Sequence, residues 1–314
     1  MSDLRDHRLG RPDGRVVAWS ECGVRGGRPL VRLPGTPGSR FSLRADHTPW
    51  IARGLRVITI ERPGFGASTR LPGRGFAEPA DDLAAVLDHL GIDRVPLYGG
   101  SGAAPHILAF AARHPERVAA ATIVAGAAPM TDDEVDGQVA FNATSDGLGR
   151  ARDVLALRSL LSRARAAILA DPQHGFRGLL DDAPVMDQAM MTDHPRQAAL
   201  TRGVVEALVP GVDGWVDETL ALNGEWSDID LGAITCSLTW WHGEADRNCP
   251  ISAARRLVAR LPRARLVALE DGGHLAAETR EGRFLDELLA RAETARRPDL
   301  VPQSAVACAV EPVG

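Results

Sequence analysis

The stretch RVPLYGGSGAAPHILAFAARH, residues 94–114, decides how this chain folds. Val95-Pro96-Leu97-Tyr98 is an apolar run that stops at Gly99-Gly100. A lone Ser101 follows, and Gly102-Ala103-Ala104 opens a pattern in which Ile107, Leu108, Phe110 and Ala111 recur at helical spacing. Strand, glycine turn with one hydroxyl at its apex, helix: this is the pattern of a nucleophile elbow. A strand that turns directly into a helix brings two backbones together, so the positions flanking the apex must be small. Here they are Gly99 and Ala103. Two other readings compete. A dinucleotide fingerprint G-x-G-x-x-G would need a third glycine where Pro105 stands. A plain glycine-rich turn with an idle serine is the other.

Outward from the elbow, the chain alternates strands with helices. Residues 15–22 read as an early half-exposed strand and residues 29–33 as a second strand. The second strand ends in the turn-rich Pro34-Gly35-Thr36-Pro37-Gly38-Ser39. Residues 55–60 are continuously apolar, as in a strand buried on both faces, and lead into Glu61-Arg62-Pro63-Gly64-Phe65-Gly66. An amphipathic helix is predicted over 79–90 and another strand over 118–124. This rhythm implies right-handed βαβ units and a parallel sheet, with reactive groups at the carboxyl ends of the strands. Residues 130–230 break it. Helical patterns at 154–169 and 196–208 lie in a segment with 18 acids and 8 arginines, net −10. The expectation is a core over 1–129 and 231–296, a helical cap inserted at 130–230, and a loose tail over 297–314.

A serine attacks only if a base takes its proton and a third group fixes that base. Among nine histidines, His274 follows the strand predicted over 264–269 and stands in a Gly-Gly loop before a helix. That places it on the same rim as Ser101. His106 and His242 read as packing residues. The acid should follow a strand between the two, and Asp246 does so after Gly243, with Glu244 as its competitor. Oxyanion donors are expected from the amides of Gly102 and Thr36.

Composition excludes other chemistries. All 36 basic residues are arginine, which rules out Schiff-base lysines and a P-loop lysine. A net charge of −5 gives no basis for nucleic-acid or anionic-membrane binding. The four cysteines show no metal-ligand spacing, so no metal and no cofactor are expected. No signal peptide or membrane span is predicted, which makes the cytoplasm the expected location and a monomer or homodimer the expected state.

As a set, these residues resemble the α/β-hydrolase superfamily, near its esterase, iminopeptidase-like and C–C hydrolase branches, over about residues 10–295. Leu33-Pro34-Gly35-Thr36-Pro37-Gly38-Ser39 is similar to the family's H-G-x-P-G-S oxyanion loop. Glu61-Arg62-Pro63-Gly64-Phe65-Gly66 is similar to D-R-P-G-F-G, and Gly99-Gly100-Ser101-Gly102-Ala103 to G-x-S-x-G. Trp241-His242-Gly243-Glu244-Ala245-Asp246 and Gly273-His274 resemble its acid and histidine loops. Pro34 replaces the usual histidine, which removes a brace from the oxyanion loop; Glu61 and Ala103 replace aspartate and glycine. The resemblance implies an α/β fold with a mostly parallel central sheet flanked by helices. It also implies a metal-free serine hydrolase acting on a small, fairly apolar ester or related acyl bond. The cap would shape the substrate pocket with Met186, Met190, Met191, Trp215 and Trp226, beside Gly35. The rivals are an aminopeptidase or amidase with Asp181 or Asp187 holding the amine, a C–C hydrolase or tailoring cyclase, and a non-catalytic ligand receptor.

Overall fold

The computed structural model describes residues 4–177, 182–270 and 272–296. Eight strands form one sheet: β1 (Arg5–Gly10), β2 (Val16–Gly23), β3 (Arg28–Leu33), β4 (Leu55–Ile60), β5 (Val95–Gly100), β6 (Val118–Val124), β7 (Leu238–Gly243) and β8 (Ala264–Leu269). Their spatial order is β1-β2-β4-β3-β5-β6-β7-β8. β1 and β2 run antiparallel to their neighbours, and β3 through β8 pair in parallel. This is the mostly parallel α/β architecture expected. β1 has no counterpart in the sequence reading. Its residues RDHRLG alternate half-buried with exposed and pair with β2 along their length, with Arg5 tied to Glu21 at 3.1 Å and Leu9 packed on the core, so the strand carries too few apolar residues to announce itself.

The sheet is buried on both faces because successive side chains leave a strand on opposite sides. Val31, Ile58 and Trp240 pack on one face with the helices Ala77–His89, Ala104–Arg113 and Ile251–Val258. Their chain neighbours Leu30, Val57 and Trp241 pack on the other, with the helix Glu281–Arg296. Each such side chain contributes about 1.5–3 kcal/mol when fully buried. Continuous apolar runs were therefore the correct signal for these central strands.

Between β6 and β7 the chain leaves the sheet and forms a run of helices that includes Ala140–Arg150, Val154–Ala170, His194–Ala207 and Asp213–Leu222. These carry a third apolar cluster of their own, with Leu157, Leu161, Val204, Leu208, Trp215 and Val216 packed around Phe65 from the loop after β4. The tail at 297–314, Cys308 and Asp181 lie outside the described residues.

Candidate active site

Ser101 caps β5 where the strand turns into a 3-10 turn, Ser101–Ala103, and then the helix Ala104–Arg113. Its φ is +55°, a left-handed conformation that costs a non-glycine residue about 1–3 kcal/mol. Two backbone bonds hold it there: Ser101 N donates to Ala125 O at 3.1 Å, and Ala127 N donates to Ser101 O at 3.0 Å. The crossing is as tight as the sequence implied. A Cβ on Gly99 would lie 2.5 Å from Leu33 O and 2.9 Å from the Ala103 methyl.

His274 reaches the cavity from the loop after β8, and Asp246 stands buried behind it on the loop after β7. His274 Nδ1 lies 2.8 Å from Asp246 Oδ2, which leaves Nε2 as the nitrogen available to exchange a proton. Burial opposes charge on His274, but Asp246 outweighs it by attraction and hydrogen bonding and raises the imidazole above its ordinary value. Burial likewise pushes the Asp246 carboxyl up, and His274 and His242 override it and hold the group below the usual range. Asp246 Oδ1 accepts from the amides of Asn248 (2.8 Å) and Cys249 (2.9 Å). Glu244, the competing acid, pairs instead with Arg255.

His242 does more than pack. Its Nε2 stands 3.1 Å from Asp246 Oδ2 and 2.6 Å from Cys249 O, while Trp240 Nε1 donates to its Nδ1 at 3.0 Å. An indole N–H can only donate, so the ring proton of His242 sits on Nε2 and faces the acid. Histidine four residues before the acid was the signal that could have identified it. Asp187, from the helical insertion, ties down the His274 loop: its carboxylate accepts the amides of His274 (2.8 Å) and Leu275 (2.9 Å).

Arg62 supplies the brace that Pro34 cannot. Its guanidinium donates to Pro34 O (2.5 Å), Gly35 O (2.8 Å) and Thr36 Oγ1 (2.9 Å). Glu218, fully buried on the helix Asp213–Leu222, lies 2.9 Å from Arg62 Nε and accepts from Thr36 Oγ1 at 3.0 Å. It also pairs with Arg74 and lies 3.0 Å from His106 Nε2. Burial alone would push the Glu218 carboxyl up; Arg62, Arg74 and His106 hold it well below its usual range. Burial in turn lowers His106 to about 4. The Thr36 loop presses on the elbow so closely that a Cβ on Gly102 would fall 2.2 Å from Thr36 Oγ1 and 3.4 Å from Thr36 N. Position 102 therefore excludes every residue larger than glycine unless the oxyanion loop moves.

Ser101, His274, Gly35, Thr36, Gly102, Met191 and Trp215 line one cavity of about 510 Å³. Met186 and Met190 do not line it: Met186 is 42% exposed on the surface of the insertion. Trp226 packs beside the sheet core against Phe76 rather than in the cavity. Among the described residues no cluster of three His, Cys, Asp or Glu side chains could hold a metal, and no helix is long and apolar enough to cross a membrane.

A family model described as the alpha/beta hydrolase fold matches residues 28–281. One relative, a dihydrolipoyllysine-residue acetyltransferase component of an acetoin cleaving system from Pseudomonas putida, is 30% identical over 83% of this chain. The match spans 62% of that relative's length. A 2-hydroxy-6-oxononadienedioate/2-hydroxy-6-oxononatrienedioate hydrolase from Cupriavidus pinatubonensis is 26% identical over 77% of this chain and 78% of its own. Among solved structures, an esterase from Exiguobacterium antarcticum superposes with a TM-score of 0.63 at 21% identity, covering 91% of this chain and 98% of that one. At that identity the likeness speaks for the fold.

Proposed function

The chain belongs to the alpha/beta hydrolase family, and from that premise we propose that it is a serine hydrolase cleaving a small-to-medium, fairly apolar carboxylic ester through an acyl-enzyme. The observation that carries the reading is the His274–Asp246 pair at 2.8 Å, set in the same cavity as a serine held at φ +55°. Ser101 Oγ attacks the ester carbonyl and passes its proton to His274 Nε2. Asp246 keeps the other ring nitrogen protonated and stabilises the imidazolium. The amides of Thr36 and Gly102 receive the oxyanion, a stabilisation of about 2.7–4 kcal/mol for one donor. His274 then protonates the departing alcohol and next activates the water that frees the acid.

C–C bond hydrolysis is the second reading, favoured by the relatives named for that activity. It would use the same nucleophile and base on a carbonyl whose leaving group is a carbanion. Amine capture by Asp187 loses support, because both of its carboxylate oxygens already accept backbone amides. A non-catalytic receptor gives no account of a strained serine in the same cavity as a paired histidine.

Fluorophosphonate labelling tests the proposal. The wild-type chain should form an adduct that Ser101→Ala abolishes. No wild-type adduct, or one that survives the substitution, overturns it. p-Nitrophenyl esters of increasing chain length then define the acyl preference.

A further inference from the structure

One part of the cavity wall is polar and linked. Gln138, Asn142, Asp146, Asn223 and Asn248 all line it. Asn142 Nδ2 donates to Asn248 Oδ1 at 3.0 Å, Gln138 Nε2 to Asn248 O at 2.7 Å, and Asn223 Nδ2 to Asp146 Oδ1 at 2.9 Å. The set adjoins the reacting centre, since Asn248 N donates to the carboxylate of Asp246.

Two features of this wall are not explained by packing. The first is Gln138, which is 3% exposed. A backbone carbonyl can only accept, so the bond to Asn248 O fixes which end of the Gln138 amide is nitrogen. Its Oε1 then remains buried with no hydrogen-bond partner. An unmade buried acceptor is a standing cost that a ligand donor would remove. The second is Asp146, a cavity-lining carboxyl that forms no ion pair among the described residues. Burial pushes it up, opposed by the side chains of Asn223 and Gln138.

We propose that Gln138 Oε1 and the Asp146 carboxyl form a subsite for a hydrogen-bond donor, a hydroxyl or an ammonium, carried by the substrate away from its reacting carbonyl. This rests on the serine-hydrolase reading above and narrows its substrate class. The nearby cation, Arg150, is already paired with Asp132, so the two acceptors disfavour a carboxylate or phosphate and select a donor. The rest of the cavity, with Met191, Trp215 and Leu222, accommodates the apolar chain between the two ends.

The test compares substrates that differ only in the donor. On the acyl side these are p-nitrophenyl hexanoate and its 6-hydroxy, 6-methoxy and 6-ammonio derivatives, with shorter homologues. On the alcohol side they are hydroxyalkyl and methoxyalkyl butyrates of matched length. A methoxy group keeps the acceptor and loses the donor. In at least one series wild-type kcat/KM should favour hydroxyl over methoxy by about tenfold or more. That ratio should collapse in both Gln138→Met and Asp146→Asn. A still larger preference for the ammonium ester that salt weakens also supports the subsite and assigns it to a cation. A flat ratio in every series, or a ratio unchanged in both variants, overturns the subsite while plain-ester turnover keeps the hydrolase reading. No turnover of any ester overturns both.

Discussion

Glu218→Gln should cost the chain both stability and activity. In the native chain one fully buried carboxylate faces Arg62 Nε (2.9 Å), Arg74, His106 Nε2 (3.0 Å) and the Thr36 hydroxyl (3.0 Å). Glutamine keeps the volume but turns one acceptor oxygen into a donor and leaves two buried guanidinium groups without an anion. Breaking a buried ion pair from one side costs about 3–5 kcal/mol, a large share of the 5–15 kcal/mol typical of a folded domain. At roughly 2–4 °C per kcal/mol, the midpoint of thermal unfolding should fall by about 6–20 °C. Catalysis should suffer as well, because Arg62 and Thr36 position the oxyanion loop. We expect kcat to drop by up to about 10²–10³ with KM changed far less. Thr36→Val separates the two effects, since it keeps every charge and loses only the hydroxyl, at about 1 kcal/mol of stability. Differential scanning calorimetry and ester kinetics on both variants supply the numbers. A Glu218→Gln midpoint within about 2 °C of wild type, with kcat unchanged, would refute the reasoning.

Three further outcomes follow from the proposed triad and the elbow. Activity should rise with pH through an inflection above 6.5, as the raised His274 loses its proton; Asp246→Asn should move that inflection down and cut kcat by about 10⁴. The stability that this pairing contributes runs the opposite way, being complete below about pH 6.5 and lost as pH climbs through the raised native value, which pH-dependent urea melts would show. Gly102→Ala forces its methyl against Thr36 Oγ1, so kcat should fall by about 10² or more with the fold intact by circular dichroism, and an unimpaired variant would contradict the loop geometry.

The sheet and the elbow were legible in the sequence because both rest on local rules. Apolar runs mark strands buried on two faces, and a glycine turn before a helical pattern marks the nucleophile position. β6 and β8 appear at the residues predicted, and the acid and histidine loops follow their strands as expected. What sequence could not supply was long-range charge geometry. Nothing near Arg62 announces that it replaces a missing histidine brace, or that its counter-charge lies 156 residues away, at Glu218. The methionines misled for a related reason. Met186 and Met190 have pocket-like chemistry, but which side of a short helix meets the cavity depends on how the insertion docks. The polar side chains of the cavity wall were overlooked because Gln138, Asn142 and Asp146 carry no motif.

The insertion touches the candidate site at two stations, through Glu218 at the Thr36 loop and Asp187 at the His274 loop. An insertion moored in this way cannot swing away as one piece without breaking the contacts that hold the two loops of the proposed site. Exchanging the whole insertion for a relative's would thus remove two supports of the proposed site, whereas altering single cavity-facing side chains would reshape the cavity and leave those moorings in place.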